Sequence, residues 1–355
     1  MDLLPFPHWS VVSYRTPWSW TRGMALMLVP LVIMAQGWFA AGAQEASPPA
    51  SPIASPVAGA AAQFIARFDA ADGELSEGVA LAPDGTVYTA FSPLGQIVRL
   101  GPGEGEHEVV AKIEGLQEGD IGVLGLAVHS DGSVYAGVFS ANPDAHGVWR
   151  IDAGTGSVER VPGTEQIGLP NAMVFDSAGT MYVTDTMAGA VWRVVPDGTA
   201  ESWLQHELLG GNGRLGFGFP VGANGIALDV SGETLYVAVL EQAYIATISI
   251  GADGSAGEPA IFVELGDDPA PMLPDGIAFD ETGNLYVALP TVNTVVRVAP
   301  DGTVETMATA GDGMDGPASV AVDDNAGRLY VANFSIALVP PGGAGPGIVM
   351  IELEG

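Results

Sequence analysis

The chain has 355 residues, 48% of them hydrophobic, with 42 acidic side chains against 11 basic ones and a formal net charge of −31. That charge argues against nucleic acid and against anionic membrane surfaces as partners, since both repel an acidic protein. With no cysteine there is no disulfide framework and no lipid-anchored lipoprotein.

The first elements in chain order are targeting features. Arg15 and Arg22 give a positive flank, Met24 to Gln36 is an apolar run, and Ala41-Gly42-Ala43 is a small-x-small cleavage site. Residues 1–43 are therefore predicted to be a signal peptide, and the protein to be secreted or extracytoplasmic. The alternative is a retained leader, because Met24–Ala43 carries no charge and nearly reaches the length of a membrane span. Beyond that leader no membrane association is expected. Residues 44–62 form a Pro/Ser/Ala-rich linker whose composition cannot build a core.

From residue 63 to 355 the sequence repeats. Glu77, Leu124, Asn171, Asn224, Asp275 and Ala318 occupy one repeat position, separated by 47, 47, 53, 51 and 43 residues. Each precedes a small–aliphatic–small–aliphatic run such as Gly78-Val79-Ala80-Leu81 or Gly276-Ile277-Ala278-Phe279. About eleven residues later comes a tyrosine, and Tyr88, Tyr135, Tyr182, Tyr236, Tyr286 and Tyr330 account for six of the eight in the chain. Turns such as Pro83-Asp84-Gly85 and Ser130-Asp131-Gly132 lie between, with glycine supplying the positive φ that a tight hairpin needs. Asp84, Asp131, Asp197, Asp253 and Asp301 with their glycines read as such turns, because no twelve-residue calcium loop surrounds them.

Short alternating runs bounded by Gly, Asp and Pro favour four strands per repeat. A period near fifty residues then predicts an all-β fold, a six-bladed β-propeller with four antiparallel strands per blade. Repeat six has no run for a fourth strand, and a spare run, Gln63 to Phe68, precedes repeat one. The N-terminal strand is expected to complete the last blade and close the ring. The first strands crowd the axis, which accounts for Gly78, Gly125, Ala172, Gly225, Gly276 and Ser319. Arg99, Arg150, Arg193 and Arg297 recur on third strands, away from the axis, where ion pairs with the many acids are expected.

In such a ring Glu77, Asn171, Asn224 and Asp275 converge at one mouth of the axial tunnel. Two carboxylates and two carboxamides make an oxygen set suited to a hard cation. Calcium takes six to eight oxygens at ~2.3–2.6 Å, so water or substrate would complete the shell. Manganese and magnesium are the alternatives, and no His/Cys cluster competes for zinc. Open positions suit a Lewis acid that polarises a carbonyl or phosphoryl oxygen, with Asp275 as general base or nucleophile. The plainer alternative for the four is that they satisfy backbone groups where the chain enters each blade.

His146, between the second and third strands of blade two, and His206, in the insert before blade four, are candidate proton shuttles or substrate contacts. Asp185 and Asn333 end second strands near the same face and are candidate pocket residues. The insert, Leu204 to Ala223, carries Leu208, Leu209, Leu215, Phe217 and Phe219, and reads either as a mobile apolar lid or as a long loop capping blade hydrophobics.

The repeat, together with Glu77-Gly78, Pro170-Asn171, Asn224-Gly225 and Pro274-Asp275-Gly276, resembles the senescence marker protein/gluconolactonase/luciferin-regenerating-enzyme family over about residues 63 to 355. The resemblance implies that Glu77, Asn171, Asn224 and Asp275 bind a catalytic divalent cation, usually calcium. It also implies that Asp275 takes part in hydrolysing a small-molecule lactone or ester. One residue departs from the pattern: Leu169 stands where sugar-lactone members carry an arginine, which favours a less polar substrate. A monomer is expected. The alternatives are a non-catalytic binding or scaffold propeller, or a strictosidine-synthase-like or lyase enzyme on the same scaffold.

Overall fold

The structure, a computed structural model, describes residues 62–101, 105–266, 272–335 and 343–353. The expected leader (1–43) and, apart from residue 62, the linker (44–62) lie outside the described residues. The rest forms six four-stranded antiparallel sheets. Blade one comprises Ser76–Leu81, Val87–Phe91, Gln96–Leu100 and His107–Lys112. Blade two comprises Gly122–Val128, Val134–Phe139, Gly147–Asp152 and Ser157–Arg160. Blade three comprises Pro170–Phe175, Met181–Asp185, Ala190–Val194 and Ala200–Gln205. Blade four comprises Ala223–Leu228, Thr234–Val239, Tyr244–Ser249 and Ala260–Glu264. Blade five comprises Ile277–Phe279, Leu285–Leu289, Thr294–Val298 and Val304–Ala308. Blade six joins Pro317–Asp323, Arg328–Asn333 and Gly347–Glu352 to the N-terminal strand Ala62–Arg67.

The first strands pack on one another in sequence, and the first strand of blade one also packs on that of blade six, so the ring is closed. Closure is by the expected N-terminal strand. Ala62 pairs with Ile351, Phe64 with Val349 and Arg67 with Gly347. The Ser76 hydroxyl, hydrogen-bonded to the Asn333 carbonyl oxygen at 2.9 Å, adds a stitch between blades one and six. The N-terminal strand covers the edge of Gly347–Glu352 that would otherwise be free to pair with another chain.

The hydrophobic core is divided into clusters between neighbouring blades. Ala90 and Ile97 of blade one pack with Val123, Val134 and Ala136 of blade two, and Ala238 and Ile245 of blade four pack with Leu285 and Val287 of blade five. This division allows one ring to exceed the size at which a single core ceases to grow. The Asp-Gly pairs are hairpin turns, as expected. The side chains of Asp84, Asp131, Asp197, Asp253 and Asp301 each accept the backbone N–H two residues on, and the glycine that follows each has φ between 77° and 88°. The four third-strand arginines pair with Glu108, Asp131, Glu201 and Glu305, so they form blade-face ion pairs and not an anion-binding ring.

Candidate active site

Every blade carries a β-bulge at the repeat's marker position. In blade one Ser76 pairs with Phe91 and Val79 with Thr89, so Glu77 and Gly78 together oppose one residue. Register shifts of the same kind fall at Leu124-Gly125, Asn171-Ala172, Asn224-Gly225 and Ala318. In blade five Asp275 N–H donates to Ala288 O at 2.9 Å while Gly276 O accepts from Ala288 N–H at 3.0 Å. A bulge re-aims the side chain of its extra residue, and here it does so at the axial end of the innermost strand.

The small residue of each bulge is dictated by its neighbour. A Cβ on Gly78 would lie 2.5 Å from Leu124 O, one on Gly225 2.2 Å from Asp275 O, and one on Gly276 2.6 Å from Ser319 Cα. Backbone crowding thus fixes the phase of the repeat and sets each marker side chain at the tunnel.

The four oxygen-bearing side chains meet there. Glu77, Asn171 and Asn224 are 5%, 6% and 5% exposed. Asp275 keeps partial access to solvent, while its carboxylate is enclosed by the surrounding blades. The Asn171 carboxamide donates to Asn224 Oδ1 at 2.8 Å and to Thr186 Oγ1 at 3.3 Å. The Asn224 side chain favours the charged form of the Asp275 carboxylate, and that carboxylate lies close enough to Glu77 to repel it. The markers of blades two and six, Leu124 and Ala318, are buried and apolar, so the polar groups are confined to blades one, three, four and five.

The electrostatics are unfavourable as they stand. Burial first, and then the facing Asp275 carboxylate, push the Glu77 carboxyl well above its ordinary range. Burial pushes Asp275 up to about 7 against the opposing effect of its hydrogen bond from Asn224. Glu77 Oε2 is buried without any hydrogen-bond partner. An orphaned carboxylate oxygen beside a second carboxylate is costly unless a positive charge joins them.

A divalent cation fits this set: two charged and two neutral oxygen donors, one carboxylate oxygen unclaimed, and no soft ligand near. Among the described residues no three His, Cys, Asp or Glu side chains gather at one point, in keeping with a set half made of carboxamides. Such chemistry suits hard, oxygen-seeking ions.

Among the described residues the other candidates make no hydrogen bond to these four. The buried carboxylate of Asp185 accepts from Gly168 N–H (2.7 Å), Leu169 N–H (3.0 Å) and Ala188 N–H (3.1 Å), latching the chain entering blade three. His146 Nε2 lies 2.7 Å from Ile167 O, and its Nδ1 accepts from Ser140 N–H at 3.4 Å, so both ring nitrogens bridge loops of blades two and three. His206 accepts from Leu208 N–H through Nδ1 and faces Glu258 through Nε2 at 3.2 Å, at the end of the outermost strand of blade three. The Asn333 carboxamide donates to Gly313 O at 2.8 Å, and its Oδ1 is buried without a partner.

Three further residues gave no sequence signal. Thr186 supports Asn171. Phe139, ending the second strand of blade two, meets Phe219 at 6.3 Å between ring centroids. Glu241 is fully buried, and its carboxylate accepts from Asn212 N–H (2.8 Å), Gly213 N–H (2.6 Å), Leu215 N–H (2.9 Å) and Val221 N–H (3.0 Å). These bonds tie down the insert before blade four. Within it, Leu209 belongs to a core cluster of blade four, while Leu215, Phe217 and Phe219 pack on Val221, Leu240, Ala243 and Leu273.

Residues 78–209 and 220–335 match the family model described as SMP-30/Gluconolactonase/LRE-like region. No curated protein matches the chain. Solved structures with the same fold include a gluconolactonase from Xanthomonas campestris (19% identity, TM-score 0.58, covering 86% of this chain and 99% of that one). A calcium-binding regucalcin from Agrobacterium tumefaciens is 18% identical, with a TM-score of 0.58 and coverage of 82% and 96%. A virginiamycin B lyase from Staphylococcus aureus is 16% identical, with a TM-score of 0.54 and coverage of 83% and 100%. These identities carry the fold alone, but the family match spans most of the chain: the protein belongs to the SMP-30/gluconolactonase/LRE-like family.

Proposed function

We propose that the protein is a secreted, divalent-cation-dependent hydrolase of lactones or related carboxylic esters. Its cation, calcium by preference, would be held at the propeller axis by Glu77, Asn171, Asn224 and Asp275. The observation that carries this reading is the buried, unpartnered Glu77 Oε2 beside the Asp275 carboxylate. A scaffold or binding propeller has no need of two mutually repelling acids at its axis.

When bound, the cation supplies a Lewis acid for the substrate carbonyl. Glu77 and Asp275 would offset its charge, and the two asparagines would add neutral oxygen donors that position it. Asp275, a carboxylate held at the edge of the cation site, is the residue placed to take a proton from an attacking water. That proton is then available to the alkoxide released when the acyl C–O bond breaks. Attack by an Asp275 carboxylate oxygen on the carbonyl carbon, with later hydrolysis of the acyl-enzyme, is the alternative for the same residue.

The test is a panel of lactones and aryl esters assayed with calcium and with chelator. Hydrolysis that needs the ion and is lost in Asp275→Asn supports the proposal. Calcium binding with every activity intact in both Glu77→Gln and Asp275→Asn would make the ion structural and defeat it.

A further inference from the structure

Three aromatic rings cluster where the insert before blade four meets the second strand of blade two. Phe217 and Phe219 stack at 6.2 Å with 25° between their planes, and Phe219 reaches across to Phe139 of blade two. All three rings remain partly exposed, while the residues beneath them, Val221 and Leu273, are buried.

The cluster and the polar set share backbone. Val221 stands three residues before Asn224 and Leu273 two before Asp275. Gly222 N–H donates to the carbonyl oxygen of Thr186, whose hydroxyl accepts from Asn171. The Glu241 carboxylate fixes the segment through four backbone N–H groups. Phe217 and Phe219 pack on buried residues from one side and stay partly exposed on the other, and apolar surface of that kind is available to a ligand. The family match breaks off at residue 209 and resumes at 220, so Phe217 and Phe219 lie outside the segments shared with the family.

We infer that Phe139, Phe217 and Phe219 form a subsite for an apolar alkyl or aryl substituent of the substrate, adjoining the axial oxygens that engage its polar head. This rests on the proposed hydrolytic site, and it assigns the substrate class: lactones or esters with a hydrocarbon side chain, in preference to polyhydroxylated sugar lactones.

The experiment measures two series in calcium: turnover of γ-lactones of increasing alkyl length, and calorimetric binding of the matching γ-lactams, whose amide ring resists hydrolysis. With full burial, kcat/KM and lactam affinity should each rise about fourfold per methylene. Phe217→Ser and Phe139→Ser, on different blades, should each flatten both dependences while calcium affinity holds, which separates a lost subsite from a misfolded protein. Flat dependences in the wild type would overturn the subsite, whether or not lactones are cleaved. So would steep dependences that survive in both variants. Steep lactam binding without any lactone turnover would leave the subsite standing and defeat the hydrolase reading.

Discussion

At the scale of single residues, the chemistry depends on two acids that the fold holds in an unfavourable state. Asp275→Asn is expected to lower kcat by about 100-fold or more, the scale of a lost general base, measured with saturating calcium. The pH dependence has a definite sign. Both carboxyls have folded-state pKa values raised above their unfolded ones, so in metal-free protein their contribution to stability is complete below about pH 4. The Asp275 part of it is lost as pH rises through about 7. In excess chelator, the melting temperature of Asp275→Asn minus that of the wild type should therefore increase from pH 4 to pH 7. A difference that stays constant or falls over that window would show that Asp275 is not held protonated by its surroundings.

Four of the residues that matter at this scale were legible in the sequence because the axis is crowded. Backbone contacts under 3 Å from a would-be Cβ enforce Gly78, Gly125, Gly225 and Gly276, and that small residue marks the phase from which Glu77, Asn171, Asn224 and Asp275 are read. His146, His206 and Asp185 were legible as polar residues near one face, but not by task. Their hydrogen-bond partners, some local and some in the next loop, follow no repeat, so only the structure shows them engaging backbone.

At the scale of elements, the bulge and the insert govern the site. Gly225→Ala would place a Cβ 2.2 Å from Asp275 O. The backbone of blade five cannot yield without moving Asp275, so a fall in melting temperature of roughly 5 °C together with weakened calcium binding is expected. Gly210→Ala, where the nearest atom to a new Cβ is Glu207 O at 3.4 Å, is the control and should be tolerated. For the insert, Glu241→Gln halves the acceptor capacity facing four backbone N–H groups. Limited proteolysis should then cut between residues 210 and 220 well before it cuts the wild type. Equal cleavage rates would mean that apolar packing alone holds the segment. The apolar content of the insert was visible in the sequence; its anchor was not, since Glu241 lies 20 to 29 residues beyond the groups it binds, and the matching short turns of blades one and five carry Pro93 and Thr291 in its place.

At the scale of the whole molecule, the ring was the most legible feature. Six copies of one turn, one tyrosine and one small-residue strand leave little freedom in how the units can bury their faces. The missing fourth strand of the last repeat and the spare N-terminal run specified the closure. Deleting residues 62–67 should expose the edge of Gly347–Glu352 and uncover Ile348 and Met350, which pack in the cluster joining blades one and six. A lower melting temperature and concentration-dependent association are expected, and an unchanged melting temperature would show that the strand is dispensable.

Calorimetric titration of calcium into the chelator-treated protein near pH 7.5, beside Glu77→Gln and Asn224→Ala, tests the axial cation most directly. One ion per chain is expected, with affinity lowered at least tenfold in each variant. Absence of binding, or binding that neither substitution weakens, would contradict the placement of a cation among Glu77, Asn171, Asn224 and Asp275.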